Sequence, residues 1–497
     1  VGLILIGVSQ FLLRIFLARG LSEAMFGLIF SAFTFLGLLN VLSHLGLNQA
    51  IIKFVSGYNA ENKLEKIRTS IFSSLTAVTA ASLLVSGLVI VLSGFLSNYY
   101  FESPQARPLL IILSIWFFFM SFHNFFTSVF QGFKDFSGRT FMRIVRNFTP
   151  FLFVVIFFYF SEITLNKAAL FYLFGPILST LGGFFLLRRR RSKVVSISSF
   201  NLSGSILKEM LAYGVPLIFA GFAGTLIGKI DTVLLTWLRP LKDVGYYQAA
   251  RMAKPILGFL STSMAVPLFP VISELWTKEE ISQVRKIIGF LVKYTLVLST
   301  PVAFLLFAFP EEAIRIAYGT KYLPAVNTLR VLSIATLFWG VQSVFAGSIR
   351  GIGKSSLVLR VSGAAAATNI FVDLLLIPTY GATGAAVGSG SAFLVGLSVS
   401  FYYMKSEVDF SLPLRSLGKT LLGGGIVLIS AIFLKNSLSL SLWSEVILIS
   451  IFCVIIYFVW VFRIGIITEE DLDILGGAVS IPENLDSFLR RICKSES

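Results

Sequence analysis

The chain alternates between long apolar runs and short polar breaks. Fourteen runs of 18–28 residues are bounded by charge, Gly or Pro: Val1–Ala18, Phe26–Leu45, Ile71–Leu96, Leu109–Val129, Phe141–Phe160, Ala168–Leu187, Leu211–Leu238, Tyr247–Val271, Ile287–Phe309, Leu329–Ile349, Leu357–Ile377, Ala382–Tyr403, Leu417–Leu434 and Leu442–Phe462. A helix needs about 20 apolar residues to cross a bilayer core, so each run predicts one membrane span. The expected fold is an all-α polytopic membrane protein of about 14 transmembrane helices. The connecting segments are short, which leaves little room for a soluble domain.

Composition supports this reading. Of the 497 residues 56% are hydrophobic and 13% charged, whereas soluble domains carry about 25% charged residues. The mean hydropathy is +0.85. A cytosolic enzyme, a secreted domain and a disordered chain are excluded on these grounds. The net charge of +16 would suggest nucleic acid in a soluble protein. Here its placement decides, because basic residues collect in cytoplasmic loops. Loops after even-numbered runs hold nineteen Lys and Arg, among them Arg188–Arg191, and loops after odd-numbered runs hold eight. Both termini are therefore expected in the cytoplasm, with the chain in the cell membrane and no nucleic-acid partner. Two cysteines, Cys453 and Cys493, are too few for a disulfide framework. The chain opens in an apolar stretch without Met; a few residues are expected to precede it, and no cleavable signal peptide is read.

Three short matches recur at nearly one offset. Phe26-Gly27 returns as Val244-Gly245 at 218, and Leu113-Ser114-Ile115 as Leu332-Ser333-Ile334 at 219. Gly132 in Ser128-Val-Phe-Gln-Gly-Phe-Lys134 aligns with Gly351 in Ser348-Ile-Arg-Gly-Ile-Gly-Lys354, also at 219. This predicts two homologous six-span halves, an N-lobe (1–190) and a C-lobe (205–405), followed by two extra spans (411–464) and a cytoplasmic tail (465–497). An even number of spans per half gives both the same orientation. Such parallel repeats are a transporter architecture, with the substrate between the halves.

The stretch Arg14-Ile-Phe-Leu-Ala-Arg19-Gly-Leu, followed by Phe26-Gly27, resembles the opening of the polysaccharide and lipid-linked-oligosaccharide flippases of the multidrug/oligosaccharidyl-lipid/polysaccharide exporter superfamily. So do Tyr213-Gly-Val-Pro216 through Lys229-Ile-Asp231 to Val244-Gly-Tyr-Tyr-Gln-Ala-Ala250, and Asn369-Ile-Phe-Val-Asp373 through Pro378 and Gly381 to Gly384. The resemblance covers nearly the whole chain and implies fourteen spans. It does not name the glycan.

Charges inside spans cost at least about 2.5–3.5 kcal/mol on insertion scales, so each is a candidate for function. Arg14 lies about 7 Å below the outer end of its span. It is either a snorkelling anchor or, as the resemblance favours, a cavity-lining phosphate ligand, for which the planar guanidinium fork suits. Arg19 closes the same motif and joins it as a candidate. Arg251 and Lys254, three apart, share a helix face, with Lys229 in the preceding span. Arg143 and Arg146 enter the fifth span from the inner side, either as a lower cationic station or as interfacial anchors. Asp231 cannot face Lys229 two residues away and needs a partner on another helix, such as Arg251 or Arg14, or a coupling cation. Asn369 and Asp373, four apart, share a face for coupling or interhelical hydrogen bonding. His44 and His123 are isolated, and no metal site, catalytic residue or cofactor is expected. Gly351-Ile-Gly-Lys-Ser355 lacks the strand and first glycine of a nucleotide loop. Gly224-xxx-Gly228 and Gly384-xxx-Gly388 are expected to allow close helix packing.

Together these imply a flippase, not an enzyme, that carries a polyprenyl-(pyro)phosphate-linked oligosaccharide from inner to outer leaflet by alternating access. The two extra spans would line a gap for the lipid tail. Membrane potential, an ion gradient or product consumption would drive it. Expected partners are the lipid-linked oligosaccharide, membrane lipid, and glycosyltransferases or a polymerase of the same pathway. The alternatives are a drug/cation antiporter of the same superfamily, expected to have twelve spans and an acidic cavity, and a membrane-embedded glycan polymerase or glycosyltransferase, expected to carry a large outer loop.

Overall fold

A computed structural model describes residues 2–190, 202–438, 441–467 and Asp471. Most of the predicted tail (465–497), Cys493, and the basic residues Arg191 and Lys193 lie outside the described residues. The described chain is helical: α1 (Gly2–Gly20), α2 (Glu23–His44), α3 (Leu47–Ala60), α4 (Leu64–Tyr99), α5 (Ala106–Gly132), α6 (Phe136–Phe160), α7 (Leu165–Arg190), α8 (Gly204–Ile227), α9 (Ile230–Leu238), α10 (Leu241–Ala250), α11 (Ala253–Thr277), α12 (Ile281–Ala308), α13 (Pro310–Tyr318), α14 (Val326–Gly351), α15 (Ser355–Val408), α16 (Leu414–Ser437) and α17 (Leu442–Arg463). Among the described residues ten helices are long and apolar enough to cross a membrane, and α15 contributes one of them. The chain is a polytopic all-α membrane protein.

Four details depart from the reading of uniform spans. The seventh run breaks at Gly228–Lys229 into α8 and α9, and the eighth breaks at Arg251–Met252 between α10 and α11. The eleventh and twelfth runs form the single element α15, 54 residues long. Straight, it would measure about 81 Å, far beyond a hydrocarbon core of about 30 Å. It bends at Gly381, whose φ of 52° and ψ of −127° fall where only glycine sits without strain. Beyond the bend a Cβ at Gly384 would collide with the Leu376 carbonyl, so the two arms lie backbone against backbone. Lastly, the segment after the second run is the amphipathic helix α3. Its Leu47, Ile51, Phe54 and Val55 are buried.

The chain divides into two compact units, Val1–Gly245 and Tyr246–Ser497. In the first, α5 is central and packs on α2, α3, α4, α6 and α7. In the second, α14 is central and packs on α11, α12, α13 and α15. In terms of runs, the fourth contacts the second, third, fifth and sixth, and the tenth contacts the eighth, ninth, eleventh and twelfth. The matched Leu113-Ser114 and Leu332-Ser333 pairs are buried on these two central helices. Gly27 and Gly245 touch each other directly. A Cβ on Gly27 would strike the Leu241 carbonyl and lie 2.9 Å from Gly245 N, and one on Gly245 would strike the Glu23 carbonyl.

Lateral surfaces are apolar. On α4, Leu84 is 68% and Val91 80% exposed, as lipid-facing residues are. Its opposite face is a run of buried serines, of which Ser74 donates to Ser70 O at 2.5 Å and Ser93 to Ile90 O at 2.7 Å on the preceding turn. Polar ties join helix ends. In the first unit Arg190 reaches Asp135 (2.7 Å). In the second Lys354 pairs with Glu407, Lys419 donates to Ile464 O (2.6 Å) and Lys435 reaches Glu312 (2.5 Å). At Asp135, burial pushes the carboxyl up, but hydrogen bonds from Arg190, Gly138 N–H and Ser137 outweigh it and hold the group below the usual carboxylate range.

Candidate substrate site

In the first unit the intramembrane cations are strung along an aromatic face. The Arg14 guanidinium of α1 lies 4.6 Å from the Phe30 ring centroid on α2. Phe30 contacts Phe33 one turn below (6.4 Å), and Phe33 makes edge contacts with Trp116 of α5 (4.9 Å) and Tyr172 of α7 (4.6 Å). One further turn along α2, Gly37 leaves room for the Lys229 side chain, whose ammonium a Cβ there would strike. Lys229 is displayed by the break in its span: Gly228 ends α8, and Lys229 has φ −131° and ψ −19° before α9 begins.

One turn below Trp116 on α5, Met120 Sδ lies 3.7 Å from Arg146 Nη1. Arg146 also donates to Asn147 Oδ1 (2.9 Å), and Gln10 of α1 donates to Asn147 O (3.0 Å). Arg146, half-buried and ten residues into α6, is thus turned onto α5. Arg143 is half-buried one turn earlier, where its carbonyl accepts from Asn147 (2.7 Å). Arg19 is exposed at the end of α1. Asp231 is buried in the first turn of α9. Arg14 and Lys229 both lie against α2, at Phe30 and Gly37, and Arg146 lies against α5 at Met120, while Arg19 stands at the end of α1. His44 contacts Asn124 (3.3 Å). His123 Nδ1 lies 2.7 Å from Ser179 Oγ, whose hydroxyl donates to Met142 O (2.9 Å). The proton on that contact therefore belongs to Nδ1. Among the described residues no three His, Cys, Asp or Glu gather as a metal site.

The second unit repeats the theme with different residues. Arg251 sits at the break after α10, 5.8 Å from the Tyr247 ring, and the Tyr247 hydroxyl pairs with Ser389 (3.2 Å). Lys254 lies between the rings of Trp339 (5.2 Å) and Phe393 (5.3 Å). Asn369 and Asp373 are fully buried, 3.2 Å apart on α15, with Gly388 of the returning arm against them. The Gly384-xxx-Gly388 pattern thus carries the packing of one arm of α15 on the other; side chains at Gly224 lie outside the described residues. A separate cavity of about 370 Å³ opens among α12, α14, α15 and α16, lined by Leu296, Phe304, Phe338, Phe401, Leu417 and Leu421 among others. Of the two extra helices, α16 lines it, while α17 packs behind on α16 and α12.

Charge alone pointed to the cations. Their aromatic neighbours were missed because the sequence holds 50 Phe, and only the packing separates cavity rings from lipid-facing ones.

The family model described as "Polysaccharide biosynthesis protein" matches residues 2–276, and the model MatE matches residues 216–375. Over 461 residues, 90% of both chains, the sequence is 25% identical to "Uncharacterized membrane protein MJ1068" of Methanocaldococcus jannaschii. It is 21% identical over 211 residues to "Probable low-salt glycan biosynthesis flippase Agl15" of Haloferax volcanii, a match covering 42% of this chain and 45% of the relative. The structure is similar to that titled "Lipid II flippase MurJ, inward closed conformation", with TM-score 0.75, 16% identity, and 92% and 96% of the two chains covered. It also resembles an inward-facing multidrug resistance MATE family transporter of the MOP superfamily, with TM-score 0.67, 15% identity, and 81% and 94% covered. At these identities the structural likeness is one of fold.

Proposed function

The chain belongs to the polysaccharide biosynthesis protein family, and from that premise we propose that it flips a polyprenyl-(pyro)phosphate-linked oligosaccharide from the inner to the outer leaflet of the cell membrane, with both termini cytoplasmic. A phosphate and a glycan cannot cross hydrocarbon unaided. The observation that carries the reading is that Arg14 and Lys229 lie against α2 and Arg146 against α5, all within spans of the first unit. Three cations held within spans are costly unless something anionic uses them, and together they would give a phosphate more than one holding point. Arg251 and Lys254 extend the cationic set in the second unit.

The 370 Å³ apolar cavity beside α16 suits part of a polyprenyl tail, in keeping with a role for the extra spans in leaving the lipid its own path. Asp231, Asn369 and Asp373 are the candidates for coupling or for interhelical ion pairing. The glycosyltransferases or polymerase of the same pathway would supply and consume the substrate.

A second reading, export of an organic cation by an antiporter, has the MatE match over residues 216–375 in its favour. The cations lining the site oppose it, since a cationic drug would be repelled. Proteoliposomes decide between them. Wild-type protein is expected to move a fluorescent lipid-linked oligosaccharide between leaflets and to leave ethidium distribution unchanged under an ion gradient. Ethidium transport without lipid movement would establish the antiporter instead.

A further inference from the structure

Some polar aromatic tips inside the helices find a hydrogen-bond partner. Tyr457 OH donates to Val297 O (2.9 Å), Trp460 Nε1 to Lys419 O (3.0 Å) and Tyr100 OH to Val233 O (3.2 Å). Trp116 and Tyr172 differ: the indole N–H and the phenol hydroxyl have no hydrogen-bond partner among the described residues. Both side chains are half-buried. Among the described aromatic rings each meets Phe33, in an edge-type contact at 4.9 Å and 4.6 Å.

Depth excludes the usual role of such residues as interfacial anchors. Trp116 lies ten residues into α5, Phe33 ten into α2, Tyr172 seven into α7, and Arg14 six before the end of α1. At 1.5 Å per residue all four fall about 9–15 Å below the same side, deeper than an aromatic belt at the headgroups. Against lipid, an unpaired N–H and O–H at that depth would cost free energy with no return. The tips therefore belong to a polar space within the first unit, beside Arg14.

We infer that Phe33, Trp116 and Tyr172 form a stacking platform for one sugar ring of the transported glycan, next to the phosphate held at Arg14. The inference rests on the proposed function and assigns the glycan a place within it. A pyranose presents C–H groups on its faces, which pack on the electron-rich face of an aromatic ring, and hydroxyls at its rim, which accept from an indole N–H or phenol O–H. Aromatic rings supply the large apolar contact and the polar tips fix orientation. An unspecialised lipid-phosphate site would need the arginine alone. Partly exposed rings with unused donors at the same depth are what a sugar adjoining that phosphate requires.

The test compares two probes in proteoliposomes: a fluorescent polyprenyl diphosphate bearing an N-acetylglucosamine disaccharide, and the same lipid without sugar. Trp116→Leu is expected to slow the sugar-bearing probe about tenfold and the bare lipid less than twofold. Trp116→Phe and Tyr172→Phe, which keep a ring and remove a donor, are expected to slow the sugar probe about threefold. Trp443→Phe, on the exposed face of α17, is the control and should change neither. Wild-type indole emission should shift with the sugar probe, and this shift should vanish in Trp116→Phe. Equal slowing of both probes would show a packing role and overturn the platform, as would unchanged rates in all three variants. Wild-type protein that moves neither probe would bring down the proposed function first, and the platform with it.

Discussion

Substituting Gly27 with Ala tests the tightest helix crossing in the first unit. The added Cβ would lie 2.9 Å from Gly245 N and 3.1 Å from the Leu241 carbonyl carbon, closer still to its oxygen. These are backbone atoms at the start of α10 and have no rotamer to escape into, so the helices must separate by several tenths of an ångström. Overpacking of this kind costs about 1–3 kcal/mol, equivalent to about 5- to 150-fold in the population of the closely crossed state. Spin labels at Ala24→Cys and Lys242→Cys, both exposed beside the crossing, with Cys453 and Cys493 replaced by Ser, report it by pulsed electron resonance. Gly27→Ala should add a longer-distance population, and Gly245→Ala should do the same, because its Cβ would strike the Glu23 carbonyl. The double variant should fall short of additive, since both relieve one contact. An unchanged distance distribution, with unchanged thermal stability, would refute the argument that these glycines hold the crossing shut.

Three further outcomes follow from the site and its borders. Arg14→Lys should retain partial flipping of lipid-linked oligosaccharide and Arg14→Ala almost none, because lysine keeps the charge without the bidentate fork; Arg350→Ala, exposed at the end of α14, should transport normally in the same proteoliposome assay. Leu417→Trp should narrow the cavity at α16 and slow a long polyprenyl probe several-fold more than a short-chain analogue, measured by leaflet-specific quenching. The Asp135 carboxylate, held below its usual range, contributes stability that is complete above its unfolded value and is lost as pH falls through the lower folded one. Melting curves of Asp135→Asn should therefore lack that acid-side loss, and at neutral pH should show a deficit under about 1 kcal/mol, because Arg190 is partly exposed.

Span positions were legible because hydrocarbon thickness imposes a length on every apolar run, and that length survives any detail of packing. Backbone breaks were not. Lys229 and Arg251 interrupt runs that remain apolar on both sides, without a proline at the break, and hydropathy carries no record of φ and ψ. Their charge flagged the same two residues as functional candidates, yet nothing flagged them as helix ends. The link is physical: a broken span exposes backbone groups that only a polar cavity can satisfy, so breaks and intramembrane charges occur together. Helix α3 was written in the sequence, since Leu47, Ile51, Phe54 and Val55 recur at helical spacing, but its 14 residues fall short of a span and pass as loop. Phe33, Trp116 and Tyr172 could not be singled out. They lie on three helices, and only the packing brings them beside Arg14.

The repeat expected from the sequence bears on this same contact. The offset of 218 relates Glu23 to Leu241 and Gly27 to Gly245. In the structure Gly27 lies against Leu241 O and Gly245 N, and Gly245 lies against Glu23 O. Residue i thus meets the counterpart of j, while j meets the counterpart of i, which is the reciprocity a two-fold relation between the two segments would give. Each glycine rests on the first-turn hydrogen bond of the other helix. We propose that the duplication is a parallel one, in which the two helix starts would run side by side. It would explain why glycine is needed twice: on a symmetry axis one position faces its own copy, and neither copy can carry a Cβ unless both helices move.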